Sequence, residues 1–359
     1  QSNTTGTPTV RTQINLTEIP VEVIGFLVIS ELLKNLGAQG GTTLNTAELK
    51  QQMKDLLTDV NQFVQRMIVS GHGTSAIGKV RDAVVASTTV YLTAPYYTRS
   101  IMQNDKLVFY TLDSGGAVVA GTNGVIVNDV DNENLKITLD TAISCDANVY
   151  IYPYGAYGTV WNGFQGLVDN GTYATSLHNQ SRTTYPKLKS KVRDITSGNL
   201  PQTLAENDIT ILLQKMYDDG GVPTRCKAGH GFAQQYLGIT NPDRRYIQPQ
   251  GKTNRPMINY QASDLMIMGP GGSFPFVPDP NVDARTAYFY NPENFRVLRV
   301  LKTGWWKNAD LMPLPNGDGY STDLVAIIIG QMNLLCIEPW RTGVLRGFRD
   351  QFAAGDALS

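Results

Sequence analysis

The sequence predicts an α+β chain made of one long helix, a run of short strands and a mixed α/β body. Three observations carry this prediction. Apolar residues recur at helical spacing from Leu49 to Met67. From Lys79 to Tyr157 the apolar period falls to two. Beyond residue 158, helix-like and strand-like stretches alternate.

The long helix is expected over 46–69. Asn45 can cap it, and Glu48 three positions on completes a capping box. Leu49, Met53, Leu56, Leu57, Val60, Phe63, Val64 and Met67 form one apolar stripe, and Gly71 stops the run. At about 1.5 Å per residue this is a strut of roughly 36 Å. Ahead of it, residues 1–18 are rich in Thr and Asn and alternate through Val10, Thr12, Ile14 and Leu16, as an extended arm or edge strand does. Pro20 marks a turn, and Val21 to Leu36 is apolar enough to pack against another element.

Between Lys79 and Tyr157 the alternating sets are Val90/Leu92, Leu107/Phe109, Val125/Val127, Leu135/Ile137/Leu139 and Val149/Ile151. Turn clusters separate them, such as Ser114-Gly115-Gly116 and Asp131-Asn132-Glu133-Asn134. Evenly spaced short strands of this kind predict a small barrel or sandwich, inserted between two parts of another domain. In the body, a helix over 204–219 has Thr203 and Glu206 as its capping box and Leu204, Ile209, Leu212, Leu213 and Met216 on its apolar face. Gly220-Gly221 and Pro223 end it. A short helix is expected over 231–237, strands over 257–260 and 264–268, and a Pro/Gly-rich loop over 269–283. Further strands are expected over 286–290, 294–302 and 324–329.

Composition narrows the function. A hydrophobic content of 42% argues against wholesale disorder. The longest apolar run, Leu324 to Ile329, is far short of the roughly 20 residues of a membrane-spanning helix. The net charge is −1 and the basic residues are scattered, which disfavours a phosphate-gripping surface but suits a chain that faces DNA without holding it. Cys145, Cys226 and Cys336 are far apart and odd in number, so they read as small buried hydrophobes rather than a disulfide framework. There is no signal-peptide pattern. The start at Gln1 fits either cleavage from a longer precursor or a first part missing from the sequence.

Chemistry-bearing clusters are scarce. His72, His178 and His230 are the only histidines. Cys226 and His230 are four apart but lack further partners nearby. Asp129, Asp131 and Glu133 alternate like the start of a calcium loop, yet that motif's sixth-position glycine and closing glutamate are missing, so a hairpin turn explains them. Asp218-Asp219 sits at a helix end, where solvation is the simple reading. Lys187, Lys189, Lys191 and Arg193 fit one solvated strand face or an inter-subunit contact. Gly71 to Gly78 follows a helix, whereas a phosphate-cradling loop follows a strand. No catalytic, cofactor-binding or metal residue is assigned, and the chain is not expected to be an enzyme.

The order of parts, together with four short strings, resembles the Hong Kong 97-like capsid fold of tailed-bacteriophage major capsid proteins. Phe164 to Thr172 is similar to a G-L-x-x-x-G-T segment, and Arg182 to Pro186 to the R-x-x-x-P that follows it. Gly220-Gly221-Val222-Pro223-Thr224 resembles a G-G-x-P-T step from helix to strand, and Asn333-Leu334 with Pro339 a late N-L…P strand. The resemblance covers residues 70–359 in order, with 8–69 matching an E-loop return strand and spine helix. It departs from the family before residue 8, where the arm is too short for a whole N-arm and E-loop.

The resemblance implies an N-terminal arm and E-loop return strand at 1–45, a spine helix of the P-domain at 46–71 and the inserted β module at 72–157. P-domain strands follow at 158–200, the A-domain at 201–322, and the P-domain return and tail at 323–359. It implies a subunit that assembles into pentamers and hexamers of an icosahedral shell around double-stranded DNA, without sequence-specific binding and without a membrane. Scaffolding, portal and decoration proteins are its expected further partners. The protein is expected in the virion, assembled in the bacterial cytoplasm. Expected inter-subunit contacts are Val10, Arg11, Ile14, Leu16, Arg182, Lys187, Lys189, Arg244, Arg245, Phe274, Phe276 and Arg346. The alternatives are a tail or decoration component, which the long helix and mixed body count against, and a secreted carbohydrate-binding protein suggested by the Tyr/Trp content and Asn-x-Ser/Thr triplets.

Overall fold

The computed structural model describes residues 21–29, 42–70, 76–93, 98, 101–111, 117–132, 134–155, 162–172, 174–197, 201–240, 266–269, 271–283, 285–305, 312–316 and 319–349, with the backbone alone over 21–29, 42–50 and 301–328 and at 70, 230 and 240. The described elements run β1 (Val21–Ile29), α1 (Thr42–Ser70), β2 (Gly78–Lys79), β3 (Val84–Tyr91), β4 (Lys106–Tyr110), β5 (Val125–Asp131), β6 (Lys136–Cys145) and β7 (Tyr150–Pro153). After these come α2 (Phe164–Leu167), β8 (Ser176–Leu177), β9 (Gln180–Ser181), β10 (Lys191–Asp194), α3 (Glu206–Asp218), β11 (Arg225–Ala228) and α4 (His230–Thr240). The last are β12 (Met266–Gly269), β13 (Gly272–Pro278), β14 (Thr286–Tyr290), β15 (Phe295–Trp305), β16 (Met312–Asn316), β17 (Gly319–Cys336) and β18 (Gly343–Arg346).

The helix α1 is longer than its capping signal suggests. It starts at Thr42, directly after the breaker pair Gly40-Gly41, so Asn45 and Glu48 lie inside its first turns. Its 29 residues span about 43 Å. The apolar run after Pro20 becomes β1, which pairs antiparallel with β17 from Val21↔Met332 to Ile29↔Leu324. β17 also pairs with β15 and β16, so the expected strand over 324–329 extends to Gly319–Cys336.

The period-two stretch forms a six-stranded antiparallel sheet in the order β2-β7-β4-β5-β6-β3. Its two outer strands meet: Val80 bridges Leu92, the Arg81 N–H donates to the Tyr91 carbonyl at 2.8 Å, and the Thr93 N–H donates to the Lys79 carbonyl at 2.9 Å. The sheet therefore closes into a barrel rather than a sandwich, which leaves it no long free edge. Inward residues Val90, Leu107, Phe109, Val127, Ile137, Leu139 and Ile151 fill it. The acidic string at 129–133 includes a hairpin turn, where Asp131 accepts from the Asn134 N–H at 3.0 Å and pairs with Lys136 at 3.4 Å.

The barrel is seated on α1. Met67 of α1 and Met332 of β17 belong to its core, with Phe63, Val64 and Ile68 packed alongside. Arg66, itself buried, donates to Asp105 at 3.2 Å, and the same Asp105 oxygen accepts the Met102 N–H at 2.7 Å.

A second six-stranded sheet, β10-β18-β14-β11-β13-β12, holds the body together. β10/β18 and β11/β13 are parallel pairs; the others are antiparallel. It takes strands from 158–200, 201–322 and 323–359 alike, so it crosses the divisions expected at residues 200 and 322. The helix α3 starts at Glu206, two residues later than expected, and Asp208 rather than Glu206 reaches back to the N-cap, accepting the Ala205 N–H at 3.3 Å. It ends as the Gly-Gly pair requires. Gly220 at φ +76° donates to the Tyr217 carbonyl and Gly221 donates to the Met216 carbonyl, a Schellman motif. A Cβ on Gly221 would stand 2.8 Å from the Arg341 carbonyl oxygen, so only glycine fits there. The expected loop over 269–283 instead contains the strand β13, because Phe274 and Phe276 alternate into the core beneath α4. The short helix extends to 230–240, and the strand expected over 257–260 lies outside the described residues.

Met67→Ala is expected to lower stability by about 2–5 kcal/mol, because it empties the floor of the barrel as well as the helix face. Chemical denaturation followed by intrinsic fluorescence checks this; a loss below about 1 kcal/mol would mean that the barrel does not depend on its seat.

Candidate functional site: a buried arginine–aspartate knot

The segment from 164 to 190 carries only short elements, α2, β8, β9 and a 3-10 turn over Pro186–Leu188, yet much of it is buried. Its order comes from Asp169, which has no solvent exposure. One carboxylate oxygen accepts the Gly171 N–H at 2.8 Å, the Ala174 N–H at 3.1 Å and Arg182 Nη1 at 3.4 Å. The other accepts Arg346 Nη1 at 3.0 Å. Gly171 sits at φ +103°, which turns its N–H back onto the carboxylate.

Arg182 is 1% exposed, and each of its five N–H groups finds an acceptor. Nε donates to the Leu188 carbonyl at 3.0 Å. Nη1 donates to the Ala174 carbonyl at 2.7 Å and to Asp169, and Nη2 to the Gly166 and Leu167 carbonyls at 2.7 and 3.0 Å. Arg346 Nη2 reaches the Val168 carbonyl at 3.3 Å. Two cations face one anion here, and five backbone carbonyls supply the remaining negative potential. Burial pulls the Arg182 pKa down to about 10, with Asp169 opposing that fall, so the guanidinium is charged at neutral pH.

Around the knot the elements meet. Phe164 packs on Tyr290 and Phe295, each at 4.9 Å between ring centres, and on Tyr288 at 5.6 Å. Val69 of α1 and Cys336 of β17 complete the same cluster. Burial pushes the Cys336 thiol up to about 12, although its Glu338 backbone hydrogen bond and Arg182 draw it down. The tight β8–β9 hairpin, with His178 and Asn179 at φ +50° and +60°, is pinned from the other side, where the Cys336 N–H donates to His178 Nε2 at 3.3 Å.

The four strings singled out in the sequence meet at this joint or beside it. Gly166-Leu167 supplies carbonyls to Arg182, and Gly171 supplies an N–H to Asp169. Pro186 opens the 3-10 turn whose Leu188 carbonyl takes Arg182 Nε. Asn333 Oδ1 accepts the Asn162 N–H at 3.2 Å. The Thr342 hydroxyl donates to the Pro339 carbonyl at 2.7 Å and stands 3.0 Å from the Ser190 hydroxyl, from which it can accept. Gly221 lies against Arg341.

The profile of the family described as SU10 major capsid protein matches residues 122–323, more than half of the chain. The chain belongs to the SU10 major capsid protein family. It is thus a phage capsid protein, a family role that implies self-assembly into a shell and a structural rather than catalytic task. Among solved structures, it is similar to the capsid asymmetric unit of cyanophage A-1(L), at 11% identity over 97% of this chain and 84% of that one, with a TM-score of 0.50. That likeness shows a shared capsid fold. The satellite phage P4 procapsid, with its size determination protein, is a more distant match at 11% identity, covering 97% and 78%, with a TM-score of 0.38. No curated protein matches the sequence.

For a capsid subunit the functional residues are those that shape the protomer and those that meet neighbours, and the structure sorts the expected contacts accordingly. Arg182 and Arg346 are buried in the knot, and Phe274 and Phe276 lie in the core with Phe232 and Phe289. Their side chains are engaged inside the protomer, and a role for these four between subunits rests on the resemblance alone. Lys187 is exposed, with its ammonium 6.0 Å from the Trp340 ring centre, and Lys189 is half-buried. Lys191 and Arg193 are half-buried and pair with Asp219 and Asp208 of the α3 region. Val10, Arg11, Ile14, Leu16, Arg244, Arg245 and His72 lie outside the described residues. The hub Asp169 went unnoticed in the sequence; its signal was an Asp-Asn-Gly turn between a Gly-Leu step and a lone downstream arginine.

Asp169→Asn is expected to destabilise the protomer by about 3–5 kcal/mol, because it strands two buried guanidinium groups without a counter-charge. Arg182→Lys should also be destabilising, since three donors on one nitrogen cannot reach five acceptors. Thermal melts of the two variants check this; melting within about 1 °C of the parent would show the knot to be dispensable.

Proposed function

We propose that this capsid protein is the shell-building subunit of a tailed bacteriophage, with a Hong Kong 97-like architecture. In this reading pentamers and hexamers close an icosahedral shell around packaged double-stranded DNA. The observation that carries it is the family match over 122–323, together with the capsid-fold likeness that runs through 97% of the chain. Further support comes from the geometry: α1 has the length of a spine helix, β1 returns alongside β17, and the second sheet mixes early and late strands as a body with a returning chain requires.

The proposed division keeps the spine of the P-domain at 46–71, the barrel as an insertion at 72–157, and an A-domain centred on α3, α4 and β11–β14. β10 and β18 then act as the strands through which the P-domain segments 158–200 and 323–359 enter the A-domain sheet. The barrel thickens the shell or carries a decoration protein. The near-neutral charge of −1 suits many copies packed on one surface, and DNA enclosed without sequence-specific contacts. Assembly takes place in the bacterial cytoplasm, with scaffolding and portal proteins as partners.

Negative-stain electron microscopy with light scattering on the same sample tests this. Closed shells, or rings of five or six subunits, are expected. A monodisperse species of single-chain mass, unchanged by a co-expressed scaffold, would contradict it.

A further inference from the structure

The hairpin β12–β13 ends the body sheet on a surface with a distinctive composition. Met266 to Pro278 contains no charged residue, in a chain that is 17% charged. Ile267 is fully buried in the core beneath α4, whereas Met266 and Met268 point to the opposite face, 48% and 82% exposed. In register with them stand Pro275 and Ser273, also exposed. At the hairpin tip, a Cβ on Gly271 would lie 2.9 Å from Val222 and 3.6 Å from the Tyr217 ring, and both of those side chains are exposed. Four of the twelve exposed large apolar residues among the described ones therefore gather at this end of the sheet.

The sheet face that carries Met266 and Met268 is covered only in part. Under β14 it packs against Phe164 through Tyr288 and Tyr290. Among the described residues, that cover stops toward β12. At the tip, Gly272 has nothing within 4 Å of where a Cβ would stand, so another backbone can approach closely there. Methionines adapt their shape to more than one contact geometry. The missing charge also selects the partner. A phosphate or an anionic membrane needs cations, and this stretch has none. A surface that meets other copies of the same chain repeats every charge with the same sign, a penalty that an uncharged hairpin avoids.

We propose that the β12–β13 hairpin, with Met268 at its centre, is a contact between copies of this chain. The inference rests on the shell-building reading and names a surface through which it works.

The test compares the parent protein with Met268→Glu, and adds Met268→Cys treated with a short bismaleimide. At 82% exposure, Met268→Glu should melt with the parent, while the assembled fraction by light scattering falls at least tenfold. Met268→Cys should give covalent dimers in assembled particles, whereas the parent, whose three cysteines are buried, gives none. If the parent assembles and Met268→Glu assembles equally well, the contact is wrong while the shell reading stands. If the parent itself never assembles, both fall. Should Met268→Glu fail to fold, the Met268→Cys crosslink decides: absence of dimers in assembled particles overturns the contact and leaves the patch to another segment of the same chain.

Discussion

Asp169 has no contact with water, and its charge is met from two directions, by Arg182 from its own loop and by Arg346 from near the end of the described chain. An isolated carboxylate in that position would be prohibitively costly, so the loop and the strand that carry the arginines must arrive together. Their arrival fixes much else. Arg346 belongs to β18, which pairs with β10 on one side and β14 on the other, so the knot ties the middle of the chain to the β10–β18–β14 side of the body sheet. Arg182 binds five carbonyls or carboxylate positions across residues 166–188 and shapes a loop that has little regular hydrogen bonding of its own. A buried ion cluster of this kind contributes little net stability over a well-packed apolar one, but it tolerates only one arrangement of its parts.

The barrel depends on a different kind of seat. It buries its own core, but its floor is closed by Met67 of α1 and Met332 of β17. The Arg66–Asp105 pair sits beside that floor. These contacts fix the barrel to the long helix over more than its two chain connections. For a shell subunit, this means that whatever the barrel presents is held at a set angle to the helix. The knot and the seat share α1: Val69 packs in the cluster beside the knot, two residues after Met67 enters the barrel.

Much of this was legible in the sequence, and the reason is local. Alternation marks strands whose one face is buried, so β4 to β7 could be placed from residues such as Leu107/Phe109 and Val125/Val127. Gly220-Gly221 announced the end of α3 because the Schellman turn needs glycine wherever it occurs. Long-range closure could not be read: nothing local at Val80 or Leu92 says that they bridge and turn a sheet into a barrel. The loop expected over 269–283 failed for a related reason, since Pro and Gly obscured the Phe274/Phe276 alternation that burial beneath α4 enforces. Arginines at 182 and 346 looked like surface anchors because arginine usually is one, and only the fold reveals the carboxylate between them. The strings of resemblance have a physical meaning in this chain: they are the parts of one joint.

The measurement that bears most directly on this joint is amide hydrogen exchange of the intact protein. The N–H groups of Gly171 and Ala174, which point at Asp169, and that of Lys191, which donates to the Thr342 carbonyl, should exchange as slowly as the amides of β14 and β18. They should also respond to denaturant with them, as one cooperative unit. Exchange of the 166–190 loop at the rate of an open surface segment, while β14 and β18 stay protected, would show that the loop is held by its neighbours and that the knot orders nothing.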